Sequence, residues 1–94
     1  MNNIFVVFDK TNRKIYLTKE RYKHIMKHPG MHDKLGYIKE TLQSPTKILQ
    51  SNANRNTHFY FRYYKDRREY LFVSVRYLNS KGFIITSFYT DRIK

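Results

Sequence analysis

The fold is decided by the stretch from Thr57 to Thr90, which reads THFYFRYYKDRREYLFVSVRYLNSKGFIITSFYT. It contains three runs rich in β-branched and aromatic residues, at 57–64, 70–78 and 83–90, and such residues favour strands. The separators KDRR and NSKG have the length and polarity of hairpin turns. The second half of the chain is therefore predicted to form three consecutive antiparallel strands.

The first half of the chain has the pattern of a hairpin followed by two short helices. Its predicted segments are strands at 3–8 and 14–17, a helix from 19 to about 28, a second helix that stops before Ser44, and a short strand at 47–50. Thr18 and Asp33 are expected to cap the two helices, and Pro29 with Gly30 is expected to end the first. Helices segregated from consecutive strands indicate an α+β domain.

The composition restricts the class of protein. The 94 residues are predicted to form one domain, 1–94, and a 40% hydrophobic content with three Gly and two Pro argues against disorder. Cys is absent, which excludes a disulfide scaffold and thiolate metal sites. The sequence has no run of about 18 apolar residues, so no membrane span is expected. We expect a cytoplasmic protein.

The charge is the strongest indication of a partner. The chain carries 19 Lys and Arg against 7 Asp and Glu, a net charge of +12, together with nine Tyr and seven Phe. Charge of this density attracts polyanions, and interspersed aromatic rings offer faces on which unpaired bases stack. Nucleic acid is therefore the leading candidate partner, while most of the aromatic residues are expected to form the core.

Two histidines on the first predicted helix are the main candidates for chemistry. His24 and His28 lie four residues apart and so share one face of that helix. The spacing also suits a metal pair, but a third ligand is hard to find because Cys is absent and His32 follows the Pro-Gly break. We therefore expect no metal and no cofactor. An imidazole can instead exchange protons at cellular pH in a metal-free cleavage of RNA, for which the ribose 2′-OH supplies the nucleophile.

Cations on the strands are the candidates for holding phosphate. Arg62 interrupts an aromatic strand and Arg76 an apolar one, and strand alternation is expected to bring both onto one surface with Thr86. Such cations stabilise the charge that develops on phosphate oxygens. Further contacts with the substrate are expected from the first helix, the strands and the turn at 65–68: Lys23, Lys27, Tyr60, Arg67, Arg68 and Thr90.

Several of these segments resemble one family. Residues 15–25 read IYLTKERYKHI and are followed by His-Pro at 28–29, which resembles the opening motif of phage-associated barnase/EndoU/colicin/RelE-like nucleases. The resemblance continues through 38–45 and Ile48, resumes at the strand end VSVR that closes with Arg76, and finishes at the terminal strand FIITSFYT. These motifs are short, but together they cover most of the chain after Lys14.

The resemblance implies both a fold and a site. The fold would be two N-terminal helices packed on a curved antiparallel sheet of about four to five strands, with RNA lying across the open face. The resemblance makes His24 the main acid–base residue and His28 a second one. It assigns the stabilisation of phosphate to Arg76 and the positioning of the scissile phosphate to the hydroxyl of Thr86.

The sequence departs from the family pattern at two positions. Gly30 replaces the Glu often found after His-Pro, and Phe88 stands where Tyr is usual.

Three candidate functions follow from the sequence. The first hypothesis is a metal-independent, toxin-type endoribonuclease that cleaves mRNA or tRNA and is held by an acidic antitoxin or immunity protein. The second is a non-catalytic nucleic-acid-binding module. The third is a phage or mobile-element protein whose basic face docks an acidic protein partner.

Overall fold

Strands dominate the molecule, as the alternating β-rich runs predict. The computed structural model describes residues 3–93. In chain order its elements are β1 (Asn3–Phe8), β2 (Lys14–Thr18), α1 (Lys19–Ile25), α2 (Leu35–Gln43), β3 (Lys47–Gln50), β4 (Thr57–Tyr64), β5 (Glu69–Leu78) and β6 (Lys81–Thr90). All six predicted strand segments are confirmed to within two residues at either end.

The six strands form one mixed sheet in the order β1-β2-β6-β5-β4-β3. β2 pairs in parallel with β6, and the other neighbours pair antiparallel. The predicted architecture, two N-terminal helices on an antiparallel sheet of about four to five strands, is therefore wrong. The helices follow the first hairpin, and that hairpin extends the sheet beside β6. Local residue patterns do not encode a pairing between strands from opposite ends of the chain.

Both helices cover the same face of the sheet. α1 packs against β6 and β2, and α2 packs against β5 and β4. One cluster of buried side chains lies between these layers: Phe5, Ile15, Leu17, Ile25, Met31, Ile38, Leu42, Tyr60, Leu71, Val73, Val75, Tyr77 and Ile84. The alternating positions of β5 from Leu71 to Tyr77 belong to this core, as predicted from their spacing.

The opposite face of β4, β5 and β6, called the open face below, carries the other set of side chains. Cross-strand pairs identify its central members: Phe59, Phe61, Phe72, Ser74, Arg76, Thr86 and Phe88. Phe59 pairs with Ser74, which pairs with Thr86, and the neighbouring row is formed by three phenylalanines. The open face is therefore largely aromatic at one end and polar at the other.

A β-bulge in β6 decides which residues reach the open face. Ser74 pairs with Thr86, whereas the next residue, Val75, pairs with Ile84. Ile85 is therefore an extra residue, and it reverses the alternation along the strand. Ile84 consequently lies in the core with 1% of its surface exposed, while Thr86 points to the open face.

The first helix is shorter than its pattern predicts. Thr18 caps it as expected, and its Oγ1 accepts a hydrogen bond from Arg21 N at 3.2 Å. The helix ends at Ile25 rather than near His28, and a tight turn follows in which His28 N donates to Ile25 O at 3.0 Å.

The second helix ends at Gln43 as predicted, but its expected cap is wrong. Lys34, not Asp33, occupies the N-cap position, and Asp33 has a left-handed φ of 57° in the turn that leads into the helix. Within residues 3–93, neither helix is long and apolar enough to cross a membrane.

Candidate active site

One of the two predicted histidines, His28, meets the open face at Thr86, and the other, His24, lies against His28. The turn after α1 places the ring of His28 edge to face with the ring of His24, with 5.8 Å between their centroids. Nε2 of His28 lies 3.3 Å from Oγ1 of Thr86, and the His28 ring lies 5.3 Å from the ring of Phe88. His24 is exposed and His28 is half-buried. The structure therefore brings three of the predicted site residues together, two imidazoles and one hydroxyl.

A groove of about 440 Å³ lies beside His28. The turn at 28–30 forms one wall, and Arg67, Glu69 and Tyr89 contribute to the lining. The guanidinium carbon of Arg67 lies 3.6 Å from the ring centroid of Tyr89, and Nη2 of Arg67 lies 3.3 Å from Oε1 of Glu69. A cation from the turn between β4 and β5 therefore lines the same groove as the His28 imidazole.

The sequence singled out Arg67 only as a residue that grips phosphate, and it did not single out Glu69. Both lie in or beside the charged turn KDRRE, and a run of charges in a turn is typical of a solvated loop. Their proximity to His28 depends on how the β4–β5 hairpin reaches the His-Pro-Gly turn. No local signal in the sequence indicates that contact.

The geometry of Gly30 accounts for the first departure from the family pattern. Gly30 has a left-handed φ of 77°, and a Cβ at this position would lie 3.2 Å from Nη2 of Arg67. A Glu here would adopt a disfavoured backbone conformation and crowd the guanidinium. In this chain the acidic group near the cation is Glu69 instead.

The second departure, at Phe88, leaves the open face without a phenol hydroxyl at that position. Strand alternation puts Phe88 on the open face against His28 and turns Tyr89 to the helix-covered side, where it packs on the core. Burial raises the pKa of Tyr89 despite the opposing charge of Arg67, so its hydroxyl keeps its proton at neutral pH. Tyr89 therefore belongs to the Arg67 groove and does not replace a hydroxyl at Phe88.

The two predicted strand arginines lie on opposite faces. Arg76 is exposed on the open face, two residues along β5 from Ser74, the partner of Thr86. Arg62 pairs with Leu71 on the helix-covered face. There, Nη1 of Arg62 donates to Ser44 O at 2.6 Å and Nε lies 3.5 Å from Oε1 of Glu40. The expectation that one surface holds both arginines with Thr86 is therefore correct for Arg76 and wrong for Arg62.

Tyr60 lies inside the core rather than at a surface. It is fully buried, and its hydroxyl donates to Oδ2 of Asp9 at 3.0 Å. Burial raises the pKa of Tyr60 to about 12. This placement does not fit the expected direct contact with a substrate, because the aromatic residues of β4 that face away from the helices are Phe59, Phe61 and Tyr63.

The remaining predicted contacts surround the site. Lys23 and Lys27 are exposed beside the histidines, Arg68 is exposed in the β4–β5 turn, and Thr90 is half-buried at the end of the open face. In residues 3–93, four ion pairs join arginines to carboxylates, and no lysine takes part in them. Most of the positive charge is therefore available to an external polyanion.

The four-residue spacing of His24 and His28 also raised the possibility of a metal site. Within residues 3–93, no group of three His, Asp or Glu side chains is arranged to hold a metal ion. His24 and His28 thus have no third protein ligand beside them in the described part of the chain.

A sheet face bordered by paired imidazoles, a hydroxyl and a guanidinium, on a chain of net charge +12, has the features of a protein that acts on nucleic acid. The chain belongs to the phage-Barnase-EndoU-ColicinE5/D-RelE like nuclease2 family, whose model matches residues 2–94. The match confirms the resemblance noted in the sequence and makes the protein a nuclease of this type. Comparisons with curated proteins and with solved structures gave no match.

Proposed function

We propose that this nuclease cleaves RNA without a metal ion, using imidazole acid–base chemistry. The observation that carries the proposal is the assembly of His24, His28 and Thr86, with Arg67 in the adjoining groove. These groups can transfer protons and stabilise anionic oxygens, which are the two requirements of phosphodiester cleavage by an internal nucleophile. RNA supplies that nucleophile as its 2′-OH.

The proposed reaction has one bond-forming and one bond-breaking event. One imidazole takes the proton of the 2′-OH while the 2′-oxygen attacks phosphorus and the bond from phosphorus to the 5′-oxygen breaks. The other imidazole, in its cationic form, gives a proton to the departing 5′-oxygen. The products are a 2′,3′-cyclic phosphate and a free 5′-hydroxyl, and the protonation states of the imidazoles are exchanged.

The surrounding groups have separate parts in this proposal. Thr86 donates to a non-bridging oxygen or to His28, and so fixes the phosphate relative to the imidazole. Arg67 and Arg76 approach from the groove and from the open face, and stabilise the negative charge that builds on phosphorus-bound oxygens. Glu69 orients the guanidinium of Arg67 through their ion pair.

A cleavage assay on labelled single-stranded RNA in EDTA tests this assignment. Loss of an acid–base group lowers rates by about 10²–10⁴-fold, so we expect losses in that range for His28→Ala and His24→Ala. Thr86→Val keeps the shape of the side chain and is expected to slow cleavage by a smaller factor. The matched control is His32→Ala, because His32 is exposed after the His-Pro-Gly turn and does not line the groove beside His28.

Two results would contradict the proposal. Undiminished cleavage by the His24→Ala and His28→Ala variants would remove the imidazoles from the mechanism. Intact RNA with tight, salt-dependent binding by the wild-type chain would indicate a protein that only holds nucleic acid.

We further propose a toxin-type role in the cytoplasm, with mRNA or tRNA as substrate and an acidic antitoxin or immunity protein as the partner. A chain of net charge +12 whose cations in residues 3–93 are mostly outside ion pairs attracts both RNA and an acidic protein. Induced expression is expected to arrest growth with the wild-type chain and not with the His28→Ala variant. Equal arrest by both would contradict a toxic activity based on this site.

A further inference from the structure

A second groove, of about 590 Å³, adjoins the candidate active site on the open face. Phe88 lines both grooves and so connects them. Four phenylalanines form the floor of the second groove, which we call the Phe groove: Phe59, Phe61, Phe72 and Phe88. Their rings form a continuous chain, with centroid distances of 5.4 Å from Phe59 to Phe72, 5.2 Å from Phe61 to Phe72, and 4.7 Å from Phe72 to Phe88.

The rim of the Phe groove is polar and carries a cation. Gln50 and Asn52 line one part of it and Arg92 another. Nε2 of Gln50 donates to Arg55 O at 2.8 Å, which holds that carboxamide in place. Arg92 is 76% exposed at its side chain, and its contact with Asp91 is a surface ion pair that a stronger anion can displace.

We infer that the Phe groove binds an unpaired base of single-stranded RNA next to the nucleotide that is cleaved at His28. The inference rests on the proposed function for the identity of the polyanion as RNA. An aromatic floor offers stacking to the flat face of a base, and carboxamides both donate and accept hydrogen bonds at base edges. Arg92 then meets a phosphate of the same strand.

The charge of the molecule favours this occupant over an apolar protein segment. The Phe groove lies on a chain of net charge +12, and its connection to the histidines runs through Phe88. A strand whose phosphates follow the cations would bring a base onto the phenylalanines. The geometry also selects against duplexes, because paired bases are stacked on one another and cannot enter a groove singly.

A tryptophan reporter tests the inference, because the chain contains no Trp. The test variant is Phe59→Trp, in the groove. The control is Phe8→Trp, since Phe8 is exposed in β1, an edge strand that β2 separates from β6, and it lines neither groove. The probe is a short single-stranded 2′-O-methyl oligonucleotide, which has no free 2′-OH and therefore cannot be cleaved.

The inference predicts quenching of the Phe59→Trp fluorescence by the single strand and no saturable quenching of the Phe8→Trp variant. A duplex of the same sequence is expected to quench neither. In the otherwise wild-type chain, Phe72→Leu keeps an apolar floor but removes a stacking face, and we expect it to weaken binding of the single strand by about tenfold to a hundredfold.

The outcomes separate this inference from the proposed function. Cleavage of RNA by the wild-type chain without quenching of the Phe59→Trp variant overturns the groove assignment alone. Quenching without cleavage supports the base site and overturns the proposed reaction. A fluorescence change that follows protein concentration, with no oligonucleotide present, shows a second copy in the groove and overturns the inference. If circular dichroism shows that Phe59→Trp does not fold, Leu49→Trp reports from the same groove.

Discussion

At the scale of single residues, Asp9 connects the first hairpin to the central strands. Its carboxylate accepts hydrogen bonds from the backbone and hydroxyl of Thr11, from the backbone of Arg13, and from the hydroxyls of Tyr60 and Tyr77. The side chain of Asp9 is fully buried. Burial alone would raise the pKa of Asp9, but the hydrogen bonds, led by that from Tyr77, lower it below the ordinary value of 3.8.

This pKa shift predicts a specific loss of stability in acid. As the pH falls, the unfolded chain protonates Asp9 before the folded chain does, so the contribution of Asp9 is complete above about pH 4–5 and is lost at lower pH. We expect Asp9→Asn to lower the free energy of unfolding at neutral pH by about 1.5–3 kcal/mol and to weaken its decline in acid. Urea unfolding followed by circular dichroism at a series of pH values measures both effects.

The control for that measurement is Asp66→Asn, because Asp66 is exposed in the β4–β5 turn. His58 faces the same cluster as Asp9, and its pKa is lowered chiefly by burial and also by the charge of Arg13. Protonation of His58 therefore also destabilises the fold below about pH 6.5, in the wild type and the control alike. Identical acid profiles for Asp9→Asn and the wild type would contradict the role given to Asp9.

At the scale of elements, β6 assembles the molecule. It pairs with β5 along most of its length and with β2 at its start, and α1 packs against it. Gly82 permits the pairing with β2, because a Cβ there would overlap the side chain of Ile15 and lie 2.9 Å from atoms of Tyr77 and Val75. The bulge at Ile85 then turns Thr86 toward His28. One strand thus sets both the sheet order and the site.

The requirement at Gly82 can be tested with a matched pair of alanine variants. Gly82→Ala is expected to destabilise the chain by about 1–3 kcal/mol, because the added methyl group overpacks the core between β2 and β6. Gly36→Ala is the control, since nothing lies within 4 Å of a Cβ at that helical position, and we expect it to stabilise by about 0.4–1 kcal/mol. Thermal melts that rank the two variants in the opposite order would contradict this packing.

The elements themselves could be predicted from local patterns, but their assembly could not. Alternation over Leu71 to Tyr77 identified the core strand, and Thr18 identified the start of α1, because both signals act between near neighbours. The parallel pairing of β2 with β6 and the bulge at Ile85 depend on contacts between distant segments. The prediction that Arg62 shares a face with Arg76 was wrong because the register between β4 and β5 places Arg62 opposite Leu71, on the helix-covered face.

The candidate site, like the fold, could be predicted only in part from the sequence. His24 and His28 could be paired from their spacing alone, and Thr86 from the resemblance to a family of nucleases. Arg67 and Glu69 could not be assigned to the site, because the turn that carries them contacts the His28 turn only in the folded chain. Spacing along a helix explains only part of how the two histidines come together, because α1 ends at Ile25 and the turn after it brings His28 into place.

At the scale of the whole molecule, part of the positive charge lies beside the candidate site. The 19 Lys and Arg are spread along the chain, and five of them lie beside the histidines, on the open face or in the β4–β5 turn: Lys23, Lys27, Arg67, Arg68 and Arg76. Within residues 3–93, four ion pairs join arginines to carboxylates. In the proposed function, a single strand of RNA follows these cations past the imidazoles and onto the Phe groove. The histidines would then cleave the backbone beside Thr86, and the phenylalanines would hold an adjacent base.

The most direct test of the central claim is the chemical identity of the RNA ends left by the wild-type chain in EDTA. Attack by the 2′-OH produces a 2′,3′-cyclic phosphate on one fragment and a 5′-hydroxyl on the other, and mass spectrometry distinguishes these ends from the products of direct hydrolysis. We expect the cyclic phosphate to form first, and none to form from RNA whose 2′-OH groups are methylated. Fragments with 5′-phosphates and 3′-hydroxyls would contradict the account, because those ends require water rather than the ribose hydroxyl as nucleophile.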